Sequence, residues 1–222
     1  MQPNLQSPLP KVVAPAVASQ PMLFGSPELK GIAMPFGRNE EIFGEGEPAE
    51  FVYKVLSGSV RSYRLLSDGR RQINGFYLPG DIFGVEFGQE HCSSAEGVAD
   101  CSLLLVKRSS LLKLAERDND IGSRLLSVIV AELKRSRGHG LLLIKSAQER
   151  LAAFLLEMAE RLAGNGAVEL PMSRQDIADY LGLTIETVSR TLSQFAQCSM
   201  IQLVASRQVV LRNRSLLSEM NS

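Results

Sequence analysis

The sequence predicts an α+β fold, in which a β jelly roll is followed by one long helix and a winged helix-turn-helix. Short β-rich runs alternate with turn signals between residues 42 and 106. The apolar period then becomes helical and stays so from about residue 120 to residue 145. Two capped helices joined by a glycine turn follow, and a hairpin comes after them. We expect four parts: an arm (1–22), a jelly-roll domain (23–118), a long helix (119–145) and a C-terminal domain (146–222).

The composition is that of an ordinary globular protein. The 222 residues are 45% hydrophobic and 22% charged, and 24 Lys and Arg balance 24 Asp and Glu. No apolar run approaches the roughly 20 residues that cross a bilayer, and no secretory signal pattern is present. We therefore expect a cytoplasmic protein with no membrane partner. A net charge of zero gives no electrostatic sign of a nucleic-acid partner.

Few residues suit catalysis or metal binding. The nucleophile-elbow, dinucleotide-binding, P-loop and zinc-protease patterns do not occur in the sequence. A metal-dependent jelly-roll enzyme needs several histidines from the barrel, and only His91 lies there. Cys92, Cys101 and Cys198 are too few for a disulfide framework. We expect a protein that is not an enzyme and that holds neither a metal nor a cofactor.

Proline and glycine predict the structure of the first two parts, the arm and the jelly-roll domain. Five prolines among residues 1–22 predict a disordered arm, because proline disrupts both helices and strand ladders. Asp68-Gly69 is the strongest turn signal in the jelly roll, because glycine tolerates the positive φ of hairpin turns. The runs that read as strands are residues 51–56, 59–66, 72–78 and 103–106.

The long helix carries a heptad-like stripe, which predicts a dimer seam. A solitary long helix with such a stripe needs a partner, and a second copy of the chain is the simplest one. The alternative is that the stripe packs on the jelly roll of the same chain. Three polar members weaken the stripe, although ion pairs across a dimer could accommodate them. The seam consists of Ile121, Leu125, Val128, Glu132, Arg135, His139 and Leu142.

Residues 171–197 have the pattern of a helix-turn-helix. Ser173 is placed to cap the first helix, with Asp176 three residues later as in a capping box. Gly182 supplies the turn, and Thr184 caps the second helix. Residues 200–204 and 208–211 read as a hairpin, which would be a wing. A helix-turn-helix places its second helix in the major groove of DNA.

The polar outer face of the second helix predicts base contacts. Arg190 can bind guanine O6 and N7, and Glu186 can accept a hydrogen bond from cytosine N4. The alternative is a solvated helix that Glu186 and Arg190 merely stabilise, by about 0.3 kcal/mol. The expected base contacts are Glu186, Ser189 and Arg190. The expected phosphate contacts are Ser173, Arg174, Thr184, Thr187 and Arg207.

Three segments together resemble the CRP/FNR superfamily of bacterial transcription regulators. The most specific are RQDIADYLGLTIETVSRTL at residues 174–192 and AQERLAAFL at residues 147–155. The glycine pattern at residues 55–84 is similar to the family's cyclic-nucleotide-binding-type jelly roll. The resemblance implies a homodimer formed through the long helix, with a winged helix-turn-helix that binds a palindrome of double-stranded DNA.

The departures from the family's patterns narrow the resemblance. Val85 stands where the cAMP-binding branch has glutamate, and residues 86–98 contain no arginine for a cyclic phosphate. Residues 1–91 contain no cysteine, so the N-terminal iron–sulfur cluster of the oxygen sensors cannot assemble. Glu186, Ser189 and Arg190 are similar to the E-x-x-S-R of the FNR branch. The chain therefore resembles the FixK-type activators of microaerobic respiration and nitrogen fixation.

The resemblance implies an activator that binds a TTGA-type palindrome as a dimer and recruits RNA polymerase. Cys198, just after the recognition helix, is a candidate redox site, because oxidation there would add bulk or charge near DNA. Its alternative is a small buried hydrophobe. Two other functions stay open: a regulator of the same fold gated by a cyclic nucleotide or haem, and a protein-interaction module that uses the seam alone.

Overall fold

The structure of the protein is a computed structural model that describes residues 21–162 and 167–220. Residues 1–20, which make up most of the predicted disordered arm, lie outside the described residues. Of the last two residues of that arm, Met22 forms an antiparallel bridge with Lys30. Among the described residues, no helix is both long enough and apolar enough to cross a membrane.

Eight strands build the jelly roll as two antiparallel sheets. They are β1 (Ile32–Phe36), β2 (Glu41–Phe43), β3 (Phe51–Ser57), β4 (Val60–Leu65), β5 (Arg71–Tyr77), β6 (Ile82–Phe83), β7 (Ser94–Gly97) and β8 (Cys101–Lys107). One sheet has the order β1–β8–β3–β6, and the other has the order β2–β7–β4–β5. At the β3–β4 turn, Gly58 has a φ of +77°, and a Cβ there would lie 2.2 Å from the carbonyl oxygen of Asp100. Only glycine fits this turn.

Aromatic side chains fill the interior of the jelly roll. The rings of Phe43 and His91 are stacked with their centroids 3.6 Å apart, and Phe83 stacks on Tyr77 at 4.7 Å. Burial lowers the pKa of His91, although the nearby Glu86 carboxylate opposes this shift. Burial also raises the pKa of Tyr53 to about 12, so its hydroxyl stays neutral.

Helices α1 (Arg108–Arg117) and α2 (Asn119–Leu142) leave the jelly roll. The Asp118 carboxylate caps α2 by accepting hydrogen bonds from the backbone N–H groups of Asp120 and Ile121. The two helices enclose a core cluster with β8 and β3, in which Leu111 and Val52 are buried. This packing determines which face of α2 points into its own chain.

The face of α2 that contains the predicted seam packs in part against its own chain, and the seam itself stays a prediction. Ile121 and Leu125 are buried in the cluster under α1, and Val128 is half-buried. Glu132 accepts a hydrogen bond of 3.1 Å from the Tyr77 hydroxyl. The apolar half of the stripe therefore packs on the jelly roll, which was the alternative considered for it.

The rest of that stripe joins α2 to the jelly roll and to the C-terminal domain. Arg135 lies 3.5 Å from the Asp81 carboxylate. The His139 ring stacks on Tyr180 at 4.2 Å, and Leu142 is buried in the core of the C-terminal domain. The polar members of the predicted seam thus have partners within one chain, and no second copy is needed to pair them.

A second stripe of α2 is exposed. It contains Leu126, Val130 and Leu133, at spacings of four and three residues, and Leu141 continues it toward the C-terminal end of the helix. These side chains lie on the face opposite the jelly roll. The helix is therefore apolar on two faces, of which its own chain covers one.

The C-terminal domain is a winged helix-turn-helix. Its elements are α3 (Ala147–Arg161), β9 (Ala167–Glu169), α4 (Arg174–Leu181), α5 (Ile185–Gln197), β10 (Ile201–Ala205), β11 (Gln208–Leu211) and α6 (Arg214–Glu219). The three strands form a sheet in the order β10–β11–β9. The core of this domain continues into the jelly roll, because Ile73 and Phe76 of β5 pack with Phe154 of α3 in one cluster.

Candidate nucleic-acid interface

Local sequence determines the geometry of the helix-turn-helix. Ser173 and Asp176 form a capping box at the start of α4, in which each residue bonds the backbone N–H of the other. Gly182 ends α4 with a φ of +61°, a left-handed conformation that favours glycine. The Thr184 hydroxyl then accepts a hydrogen bond from the N–H of Thr187 and caps α5. The sequence predicted these caps and this turn.

The inner face of α5 holds the recognition helix on the domain. Val188, Leu192 and Phe195, at spacings of four and three residues, are buried. Thr191 is buried too, whereas Ile185 is more than one-third exposed. The first turn of α5 therefore projects further from the core than the turns that follow it.

The outer face of α5 presents the predicted base contacts. Glu186 and Arg190 are exposed, and among the residues described here no ion pair links them. Hydrogen bonds from its own backbone N–H and from Thr184 lower the pKa of Glu186, so the carboxylate stays ionised and can only accept. Ser189 lies half-buried between the two. An acceptor and a guanidinium thus lie one turn apart on an open helix face.

The predicted phosphate contacts surround that face. Arg174, at the start of α4, reaches α5, and its Nη1 lies 3.2 Å from the Ser189 hydroxyl oxygen. The Thr184 and Thr187 hydroxyls are 3.1 Å apart at the start of α5. The Ser173 hydroxyl is engaged by the cap, since it donates to the Asp176 carboxylate at 2.7 Å.

Arg207, in the turn between β10 and β11, makes a contact that the sequence did not predict. Its Nη1 donates a 3.0 Å hydrogen bond to the Pro171 carbonyl, and its own carbonyl accepts from the N–H of Leu170. The side chain therefore ties the wing to the segment before α4. The phosphate contact expected of Arg207 stays a prediction, because one carbonyl does not use all five guanidinium N–H groups.

A group of residues that the sequence did not indicate joins the jelly roll to α4. Arg61 and Arg71, on β4 and β5, form ion pairs with Asp176 and Asp179. Burial would raise the pKa of Asp176, but hydrogen bonds from Ser173 and the two arginine charges outweigh that effect and lower it. No local pattern signals these pairs, because more than 100 residues separate the partners in the sequence.

Both domains of the chain match known families. A family model described as a Crp-like helix-turn-helix domain matches residues 149–220, and one described as a cyclic nucleotide-binding domain matches residues 33–118. The nitrogen fixation regulation protein FixK of Azorhizobium caulinodans is 51% identical over 193 residues, which are 84% of this chain and 78% of that protein. The chain belongs to the CRP/FNR family.

Two further relatives place the chain within the CRP/FNR family. The solved structure of FixK2 from Bradyrhizobium japonicum has a TM-score of 0.85 at 52% identity, covering 87% of this chain and 98% of that one. The transcriptional activatory protein AadR of Rhodopseudomonas palustris is 41% identical over 174 residues, 76% of this chain and 73% of that protein. The protein is a FixK-type transcription regulator with a helix-turn-helix DNA-binding domain. Its relatives are transcription regulators, which confirms the prediction that the protein is not an enzyme. The two domain matches and the FixK2 structure confirm the predicted fold class.

The cysteines of this CRP/FNR chain are free thiols. Cys198 is exposed directly after α5, so the alternative of a small buried hydrophobe is wrong. Cys92 is exposed as well, whereas Cys101 is buried in β8. Within residues 21–162 and 167–220, no cluster of three or more His, Cys, Asp or Glu could hold a metal ion.

Proposed function

We propose that the protein is a transcription activator that binds a TTGA-type palindrome as a homodimer and recruits RNA polymerase. The observation that carries this proposal is the open outer face of α5, where Glu186 and Arg190 are exposed one turn apart. Together they suit a G·C pair and its neighbour in the major groove. The name of the FixK relative supports regulation of nitrogen fixation, and the name of AadR supports activation of transcription. The proposal extends to genes for microaerobic respiration and to action in the cytoplasm.

The homodimer would form through the exposed stripe of α2, defined by Leu126, Val130, Leu133 and Leu141. Apolar residues that recur every three and four residues pack well against a second helix. Two α5 helices would then enter successive major grooves about 34 Å apart. The exposed stripe is an alternative to the seam that the sequence suggested, whose residues are engaged in part within one chain.

The packing of the jelly roll supports a regulator that needs no small ligand there. Phe43, Tyr53, Tyr77, Phe83 and His91 stack in its interior, where a nucleotide base would need room. Glu86, near His91, would also repel a cyclic phosphate. This arrangement favours the ligand-independent activator over a regulator gated by a cyclic nucleotide or haem.

DNA binding by the Arg190→Ala variant tests the proposal. Loss of a bidentate guanine contact is expected to cost roughly 1–3 kcal/mol and to relax the base preference. Fluorescence anisotropy with a labelled TTGA-N6-TCAA duplex measures the loss, and a duplex altered at the G·C pairs measures the preference. Arg70→Ala is the matched control, because Arg70 is exposed on the jelly roll and, within the described part of the chain, forms its one ion pair with nearby Asp68. Equal affinities of the two variants would contradict the assignment of the recognition helix.

A further inference from the structure

Two arginines of the jelly roll form ion pairs with α4, the first helix of the helix-turn-helix. Arg61 Nη1 lies 3.0 Å from Asp176 Oδ1, and Arg71 Nη2 lies 2.7 Å from the same oxygen. Arg71 also binds Asp179 Oδ2 through Nε at 2.9 Å and through Nη2 at 2.8 Å. Because the arginine fork meets two carboxylates, the pairs restrain the rotation of α4 as well as its distance from the sheet.

Other side chains of the jelly roll fix the positions of the two arginines. Glu96 Oε1, on β7, accepts hydrogen bonds from Arg61 Nε at 2.7 Å and from Arg71 Nη1 at 3.1 Å. Asn39 Oδ1 accepts another from Arg61 Nη2 at 2.8 Å. The side chains of Arg61 and Asp176 are each only 6% exposed. Salt therefore screens these pairs less than it screens an ordinary surface pair.

A second contact one turn further along α4 completes the docking. The backbone carbonyl of Tyr180 accepts hydrogen bonds from His139 Nε2 at 2.6 Å and from Gln72 Nε2 at 3.2 Å. Asp176, Asp179 and Tyr180 lie three and four residues apart, so they share one face of α4. That face of α4 contacts the jelly roll and α2.

The docked orientation leaves the DNA-facing groups uncovered. Glu186 and Arg190 of α5 are exposed, and Arg174 reaches toward α5 from another face of α4. The contact with the jelly roll therefore holds the helix-turn-helix without covering it. An autoinhibitory contact would instead place the jelly roll over α5.

The charges of the C-terminal domain give the contact a second effect. Residues 146–222 contain seven arginines and no lysine against eight Asp and Glu, an unfavourable balance for a domain that approaches phosphates. Two of those eight acids are Asp176 and Asp179. Arg61 and Arg71 offset these two charges, and Glu96, which pairs with the same arginines, leaves the five side chains with a net charge of −1.

We propose that Arg61 and Arg71 are positioning residues for DNA binding, which hold α4, and through it the recognition helix, in the orientation that engages DNA. This inference rests on the proposed function. In this role the jelly roll acts as a fixed clamp on the helix-turn-helix rather than as a receptor for a small molecule.

A double-mutant cycle on DNA affinity is the first test. Arg71→Gln and Asp179→Asn are each expected to weaken binding to the palindrome about tenfold, and the double variant should be no weaker than Arg71→Gln alone. Arg71→Lys should recover part of the loss, because one ammonium can meet one carboxylate. Arg70→Gln is the control, since it removes the same charge from the neighbouring exposed position. Affinity of Arg71→Gln equal to that of Arg70→Gln would overturn the proposal.

Asp179→Asn separates positioning from simple neutralisation. If the arginines only cancelled negative charge, removing one carboxylate would leave DNA binding unchanged or make it tighter. That result would overturn positioning while leaving the proposed function intact, because the wild type would still bind. Circular dichroism and the dimer dissociation constant of each variant show whether folding or assembly has changed.

A distance measurement without DNA is the second test. Cys92 on the jelly roll and Cys198 after α5 are exposed, whereas Cys101 is buried, so spin labels attach to both domains of the natural sequence. Pulsed electron paramagnetic resonance, with labelled chains diluted in unlabelled ones, gives one intrachain distance. We expect a narrow distribution in the wild type and in Arg70→Gln, and a broader one in Arg71→Gln. Identical distributions would overturn the clamp, even if the palindrome proved to be the wrong DNA.

Discussion

Leu133 lies in the middle of the exposed α2 stripe, and replacing it with alanine tests the homodimer most directly. The residue is 47% exposed in one chain. Burying a whole leucine side chain stabilises by about 1.5–3 kcal/mol, so covering the exposed half contributes about 1 kcal/mol. A symmetric dimer contains the contact twice and gains about 2 kcal/mol. Leu133→Ala should therefore raise the dimer dissociation constant about 30-fold.

Sedimentation equilibrium over a range of protein concentrations measures that constant. Leu65→Ala is the matched control, because Leu65 is even more exposed, at 66%, but lies at the end of β4 away from α2. Leu133→Ala should leave the free energy of unfolding of a single chain nearly unchanged, since the side chain contacts little in its own chain. A dissociation constant equal to that of Leu65→Ala would refute a dimer formed through the exposed stripe of α2.

Three further outcomes follow from burial and titration. Phe154→Ala should lower the free energy of unfolding in urea by about 3–5 kcal/mol, because the side chain is fully buried, whereas Phe87→Ala, at 99% exposed, should leave it unchanged. Burial lowers the pKa of His139 below 6.5, so the folded chain keeps the ring neutral and loses stability as the pH falls from about 6.5 toward that lowered pKa. His139→Gln should therefore show a smaller loss between pH 7.5 and pH 5.5 than the wild type, and equal losses would argue against this assignment. Peroxide should weaken DNA binding by the wild type but not by Cys198→Ser, and an equal response of both proteins would exclude the proposed redox role of Cys198.

Short-range features were predictable from the sequence. The caps at Ser173 and Thr184 and the turn at Gly182 involve neighbours within a few residues, and each appears in the structure as predicted. The strands around Asp68-Gly69 follow from turn chemistry in the same way. The fold class emerged because these local choices agree with one another along the chain.

The face of α2 that meets solvent was not predictable from the sequence. Two stripes with the same spacing run along the helix, and choosing between them requires knowing where the jelly roll packs. The sequence contained one signal, because the polar residues Glu132, Arg135 and His139 interrupt the predicted seam. Their partners, Tyr77 and Asp81 among them, lie on distant strands. Polar residues inside an apolar stripe here marked contacts within one chain.

The hydrogen bond that Arg207 makes was not predictable for a similar reason. A hairpin tip near a recognition helix suggests a phosphate contact, but the Pro171 carbonyl lies close enough to bind the guanidinium. The ion pairs between β4, β5 and α4 were missed because 115 residues separate Arg61 from Asp176. Spacing along the chain contains no information about such contacts.

The core that runs without a break from β5 into α3 and α4 has a consequence for how the molecule unfolds. Phe76 packs against Phe154 and Tyr180, with ring centroids 6.3 and 5.2 Å away. Separating the two domains would bare this aromatic cluster to water, so each domain depends on the other for part of its stability. The chain should therefore unfold as one cooperative unit. A C-terminal domain expressed without the jelly roll would expose this apolar surface and aggregate.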